Sequence, residues 1–176
     1  MKLGIIGLPQ TGKTTIFNAL TGHDQPTDAS AGRMEVHTAV VDVPDPRVDT
    51  LSEMYNPKKT NYAKVTYADI AGLEGSGQGS ISGQLLNHIA QMDGLIHVVR
   101  CFEDESVAHA SGSVNPSRDI DSMSSELLLN DLIAVERKLE KLEAESQRGG
   151  TDKKINTRHT ELFERLLAIL SEDKPL

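Results

Sequence analysis

The sequence has no tryptophan, three phenylalanines and three tyrosines. Its core must therefore be aliphatic, and it has little of the aromatic surface on which single-stranded nucleic acids stack. Positive charge is also short. A formal net charge of −8 argues against binding nucleic acid or an acidic membrane by bulk electrostatics, leaving only a local patch for RNA. The single cysteine, Cys101, excludes an internal disulfide and fits a reducing compartment. Its place in the apolar run 97–102 predicts a buried bystander rather than a reactive thiol. No apolar stretch is long enough to span a bilayer and no signal-peptide core follows Met1-Lys2, so the expected location is the cytoplasm, with no membrane partner. No Ser-His-Asp, Cys-His or paired-carboxylate set stands out, and His159 has no second ligand at metal spacing.

What the chain does have is GLPQTGKT, from Gly7 to Thr14, directly after the apolar run 3–6 and directly before Ile16-Phe17-Asn18-Ala19-Leu20. Gly7, Gly12, Lys13 and Thr14 fit the phosphate-loop spacing G-x-x-x-x-G-K-[ST], in the strand-before, helix-after setting that the motif requires. At average residue usage a chain this long matches that spacing by chance on the order of 1% of the time, before the setting is counted. Glycines allow the backbone N–H groups to converge on phosphate oxygens, and the helix starting at Lys13 adds the positive end of its dipole. Lys13 is the point charge for the β- and γ-phosphates, and the Thr14 hydroxyl is placed to ligate a bridging Mg²⁺. Leu8, Pro9, Gln10, Thr11 and Thr15 complete the expected nucleotide-binding stretch.

A polar, glycine-containing segment, 22–34, then reads as a switch loop, and Val36–Val43 as a β-branched strand stopped by Pro44-Asp45-Pro46. A short helix is expected over 48–54. A strand over 62–70 ends in Asp69-Ile70-Ala71-Gly72, where a D-x-x-G spacing lets Asp69 hold a Mg²⁺-bound water and the Gly72 amide sense the γ-phosphate. Residues 74–83 read as a second switch loop, 84–91 as a helix and 95–101 as a buried strand. Beyond a boundary near Asn115-Pro116 the pattern changes to heptads. Leu128, Leu132, Val135, Leu139 and Leu142 alternate spacings of four and three, Arg148 to Asp152 interrupts them, and Ile155, His159, Leu162, Leu166 and Ile169 resume. Two such helices joined by a glycine turn are expected to pack as an antiparallel hairpin.

The stretches GLPQTGKTTIFNALT, PDPRVD, ADIAGL, HVVRCFED and VNPSRDID, in this order, resemble the YchF/Obg-like ATPase family of translation-factor-related P-loop GTPases, over Met1 to about Leu176. The resemblance implies an α/β fold: a Ras-like, three-layer αβα nucleotide-binding domain, here partial over 1–118, with a coiled-coil hairpin over 119–176. It also implies that the chain is an N-terminal fragment with an uncovered sheet edge, and that the base-reading motif, an Asn-x-x-Glu variant associated with ATP preference, lies beyond it. Its further implications are an ATP or GTP substrate, Mg²⁺, slow turnover and a ribosome or translation partner.

Three positions bear on turnover, and two of them, Gln10 and Arg33, depart from that family. Leu73 follows the D-x-x-G motif where many related GTPases carry a water-orienting Gln, an apolar substitution the family shares; leucine has neither donor nor acceptor. Gln10 replaces the usual Asn, which in cation-dependent relatives helps hold potassium, and so argues against potassium activation. Arg33 stands where the family usually has the Mg²⁺-ligating switch threonine; the alternatives are an arginine finger in cis or an exposed loop arginine, with Thr27 and Ser30 as substitute ligands. A Mg²⁺-dependent NTPase is the leading expectation. A nucleotide-responsive binding module with little hydrolysis is the second, and a small-molecule kinase the third.

Overall fold

A computed structural model describes residues 1–26, 36–70, 83–109, 111–148 and 153–176. These fall into two compact units, the first ending at Pro116 and the second beginning at Ser117.

The first unit is built on a four-stranded sheet of order β2-β3-β1-β4, comprising β1 (Lys2–Ile6), β2 (Val36–Val43), β3 (Ala63–Ile70) and β4 (Gly94–His97). Strand β1 is parallel to β3 and β4, whereas β2 runs antiparallel to β3. Helix α1 (Lys13–Thr21) covers one face, where Ile5, Phe17, Ala39 and Val98 form a buried cluster with Tyr67 and Ile96 against it. Side chains alternate across a strand, so Gly4 faces the opposite layer. There it makes room for Ile70, Leu95 and Met92, the last lying just after α3 (Gly83–Ile89). Strand β4 is the outer strand on its side of the sheet.

Local chemistry sets the helix ends. Helix α2 (Pro46–Tyr55) starts two residues before the expected Val48, because the Asp45 carboxylate caps the Arg47 N–H and Pro46 occupies the first helical position. Arg47 also pairs with the Asp45 side chain and holds its carboxyl below the usual carboxylate range. The expected strand over 95–101 ends early. The ladder stops at His97 and one further bond, Val98 N–H to the Ile6 carbonyl at 2.8 Å. Cys101 therefore lies beyond the sheet and is exposed, not buried as its apolar neighbours suggest.

The second unit holds α4 (Pro116–Arg148) and α5 (Lys153–Leu170). At 1.5 Å per residue α4 is roughly 50 Å long. The buried Asn156 amide donates to the Leu142 carbonyl at 3.1 Å. Residues 14 apart on one straight helix would be separated by about 21 Å, so this bond requires the chain to reverse between α4 and α5. On α4, Val135 and Leu142 of the expected seam are buried. On α5 the phase differs by one residue. Ile155, Leu162 and Ile169 are 51%, 47% and 41% exposed, and His159 is exposed, whereas Asn156 and Leu170 are buried and Thr160, Phe163 and Leu167 half-buried; of the expected seam only Leu166 is half-buried. One residue rotates a helical stripe by about 100°. The polar Asn156 and Thr160 lie in the buried stripe and hide it from an apolar pattern.

Candidate nucleotide site

The candidate site lies where β1 and β3 deliver their C-terminal ends. Gly7 follows β1 at φ 153°, and a Cβ there would fall well inside contact distance of the Val98 carbonyl oxygen. Only glycine fits. Gln10 and Gly12 turn the loop with φ 57° and 93°, the left-handed region, before α1 begins at Lys13. Gly12 has open space around its missing side chain, so it serves conformation rather than packing.

The Leu8 carbonyl gathers the loop. It accepts from the Thr11 hydroxyl at 3.0 Å and from the Lys13 ammonium at 2.7 Å. Thr11 is buried, Leu8, Pro9 and Thr14 are half-buried, and Gln10 and Thr15 are exposed. The back-bond of Thr11 was not legible beforehand, since its side chain counts only as one of four unspecified positions in the motif.

Asp69 enters from β3, with Ile5, two residues before the loop, as its parallel partner and His37 as its antiparallel one. Its carboxylate is 1% exposed. Oδ2 accepts from the Thr14 hydroxyl at 2.7 Å, across 55 residues of sequence, and the buried Oδ1 has no hydrogen-bond partner among the described residues. Thus Lys13, Thr14 and Asp69 gather around one loop. Gly72, Leu73, Arg33, Thr27 and Ser30 lie outside the described residues, as do most of both expected switch loops.

A residue overlooked by sequence reasoning is Arg100. It stands in an apolar run, yet it is almost fully buried and is held by backbone carbonyls. The signal was a charge inside a run otherwise read as strand. Among the described residues no three or more His, Cys, Asp or Glu side chains are grouped to hold a metal on their own. No helix among them is long and apolar enough to cross a membrane.

The chain is similar to known proteins. Residues 2–138 match the family described as 50S ribosome-binding GTPase. A ribosome-binding ATPase YchF from Pasteurella multocida is 37% identical over 172 residues, covering 96% of this chain and 47% of that protein. An Obg-like ATPase 1 from Oryza sativa is 38% identical over 178 residues, covering 99% of this chain and 44% of the relative. The structure of the YchF GTPase of Schizosaccharomyces pombe superposes with a TM-score of 0.75 at 34% identity, over 98% of this chain and 47% of that one. The chain therefore spans about half the length of the curated relatives it matches. Its fold, phosphate-loop sequence and relatives agree: the chain belongs to the 50S ribosome-binding GTPase family of P-loop proteins, on the YchF/Obg-like ATPase branch.

Proposed function

We propose that this chain carries the phosphate-binding half of a Mg²⁺-dependent purine-nucleotide hydrolase that works in the cytoplasm as a slow, ribosome-associated switch. The observation that carries the reading is the pairing of Thr14 with Asp69, because it leaves the buried Asp69 Oδ1 without a donor among the described residues. An unpaired carboxylate oxygen in a buried site costs about 1–3 kcal/mol or more, a cost that a hydrated cation relieves. A hydroxyl beside a carboxylate is also the oxygen donor set that Mg²⁺ takes. Thr14 Oγ1 would ligate the ion, and Asp69 would hold one of its waters. When bound, Mg²⁺ supplies charge neutralisation across the β- and γ-phosphates.

The chain's own residues do the rest. The 7–14 backbone turns its N–H groups on the phosphates, and Lys13 brings its ammonium from the Leu8 carbonyl toward the β–γ oxygens. Thr11 keeps its bond to Leu8, so that carbonyl retains a donor when Lys13 moves. In hydrolysis a water oxygen bonds to the γ-phosphorus as the bond from that phosphorus to the β–γ bridging oxygen breaks. Leu73 offers no donor or acceptor to orient the water, which favours slow intrinsic turnover.

Phosphate release from ATP and GTP by the full-length protein, with and without ribosomes, tests this reading. Mg²⁺-dependent release that disappears in Lys13→Ala supports it. Tight Mg²⁺-nucleotide binding with no release under any condition favours the alternative, a nucleotide-responsive binding module.

A further inference from the structure

Arg100 is 2% exposed and is the largest fully buried side chain among the described residues. A guanidinium stays charged, and burying it is costly unless its donors are satisfied. Among the described residues no carboxylate forms an ion pair with it; its acceptors are main-chain carbonyls. Nε donates to the Phe102 carbonyl at 3.1 Å, and Nη2 to those of Asp104 and Val107 at 3.3 and 3.0 Å. The Phe102 ring closes over it, with its centroid 4.7 Å from the guanidinium carbon. The neighbouring carboxylate is occupied elsewhere. Asp104 Oδ1 accepts from both the Ser106 N–H and its hydroxyl, and these bonds, with a smaller contribution from Arg100, hold its carboxyl below the usual range. The backbone from 102 to 107 is thus wrapped around one cation, and the buried Nη1 has no partner among the described residues.

The wrap has a place in the fold. Arg100 is two residues after Val98, whose N–H holds Ile6 and whose carbonyl occupies the space where a Gly7 side chain would be. The backbone that Arg100 anchors is therefore continuous with the wall against which the first glycine of the phosphate loop is packed.

We propose that Arg100 is a positioning residue for nucleotide binding: by tying 102–107 to the end of β4, it holds the Val98 wall and so keeps the phosphate loop in its binding conformation. The proposal rests on the phosphate-loop reading above. It implies that loosening the wrap weakens nucleotide binding while the fold persists. Lysine can keep the charge but cannot reach three carbonyls with a planar fork.

The test uses the full-length protein with β,γ-methylene-ATP and β,γ-methylene-GTP plus Mg²⁺. Kd is measured for wild type, Arg100→Lys, Arg100→Met and Lys13→Ala, at least 15 °C below each thermal midpoint. Arg100→Lys and Arg100→Met are expected to bind roughly tenfold more weakly or worse. A lowered midpoint with Kd within twofold of wild type would make Arg100 merely structural and overturn the proposal. Unchanged affinity in Lys13→Ala would instead overturn the phosphate-loop reading, so the two failures are distinguishable. Should the Arg100 variants not fold, hydrogen exchange on the wild type decides. Slower exchange at 98–107 on adding Mg²⁺ and either analogue supports the proposal, and unchanged exchange there contradicts it.

Discussion

The phosphate loop is closed by bonds spanning three and five residues, Thr11 and Lys13 to the Leu8 carbonyl, whereas the helical hairpin is tied by a bond spanning 14, Asn156 to Leu142. The loop's shape follows from which of its own residues tolerate unusual φ angles. The hairpin's seam follows from what the opposite helix offers. A short-range device tolerates few residue types at few positions, while a packed seam accepts many sequences so long as volume and hydrogen bonds are met.

Substitutions can break that contrast, beginning where the loop depends on something distant. In Gly7→Ala, the new methyl meets the Val98 carbonyl at a φ that alanine rarely adopts. The expected loss is about 3 kcal/mol or more, read as a lower urea midpoint together with weaker nucleotide binding. An unchanged midpoint would show that the β4 wall is not rigid.

The seam's phase comes next. Leu170 is 1% exposed and its neighbour Ile169 is 41%. Leu170→Ala is expected to cost about 2–4 kcal/mol, and Ile169→Ala less than about 1 kcal/mol, in thermal or urea unfolding. Equal costs, or the reverse order, would restore the phase that the apolar pattern alone suggests.

Thr14→Ala sharpens the site itself. Removing the hydroxyl leaves both oxygens of the buried Asp69 carboxylate without a donor among the described residues. The metal-free protein is expected to lose about 1–3 kcal/mol, and Mg²⁺ should no longer tighten nucleotide binding. A variant with wild-type stability and an intact Mg²⁺ effect would remove Thr14 from the site.

The smallest effect is expected at Gln10, an exposed non-glycine residue at φ 57°. Asparagine visits that region more readily. Gln10→Asn should therefore stabilise by about 0.5 kcal/mol, a rise of roughly 1–2 °C in the thermal midpoint. A fall instead would mean that the Gln10 side chain makes a contact worth more than the backbone strain.

Much of the first unit was legible because its signals are local: apolar runs for β1, β2 and β3, glycines and lysine for the loop, and an acid closing β3 for the site. Asp69 was legible as a residue, but its orphaned oxygen was not, because that depends on where Thr14 points. Proline and an aspartate cap start α2 at Pro46, a signal present in the sequence but read only as the end of β2. Strand β4 was overextended because apolar character does not report where the ladder ends. After Val98 the chain turns to wrap Arg100, which leaves Cys101 outside. On α5 the apolar pattern places Leu166 in the buried stripe but misses the rest of it, because Asn156 satisfies its amide across the helices, and a buried polar residue with its partner is invisible to a hydrophobic count.

Everything proposed for the site depends on the 7–14 loop, with Thr14 and Asp69, binding a Mg²⁺-nucleotide through its phosphates. Its most direct test is titration of the full-length wild type and Lys13→Ala with ATP and GTP, in Mg²⁺ and in excess EDTA. The wild type is expected to bind saturably, weakened at least tenfold by EDTA and about a hundredfold by loss of the lysine charge. Equal affinity for wild type and Lys13→Ala, with or without Mg²⁺, would contradict it.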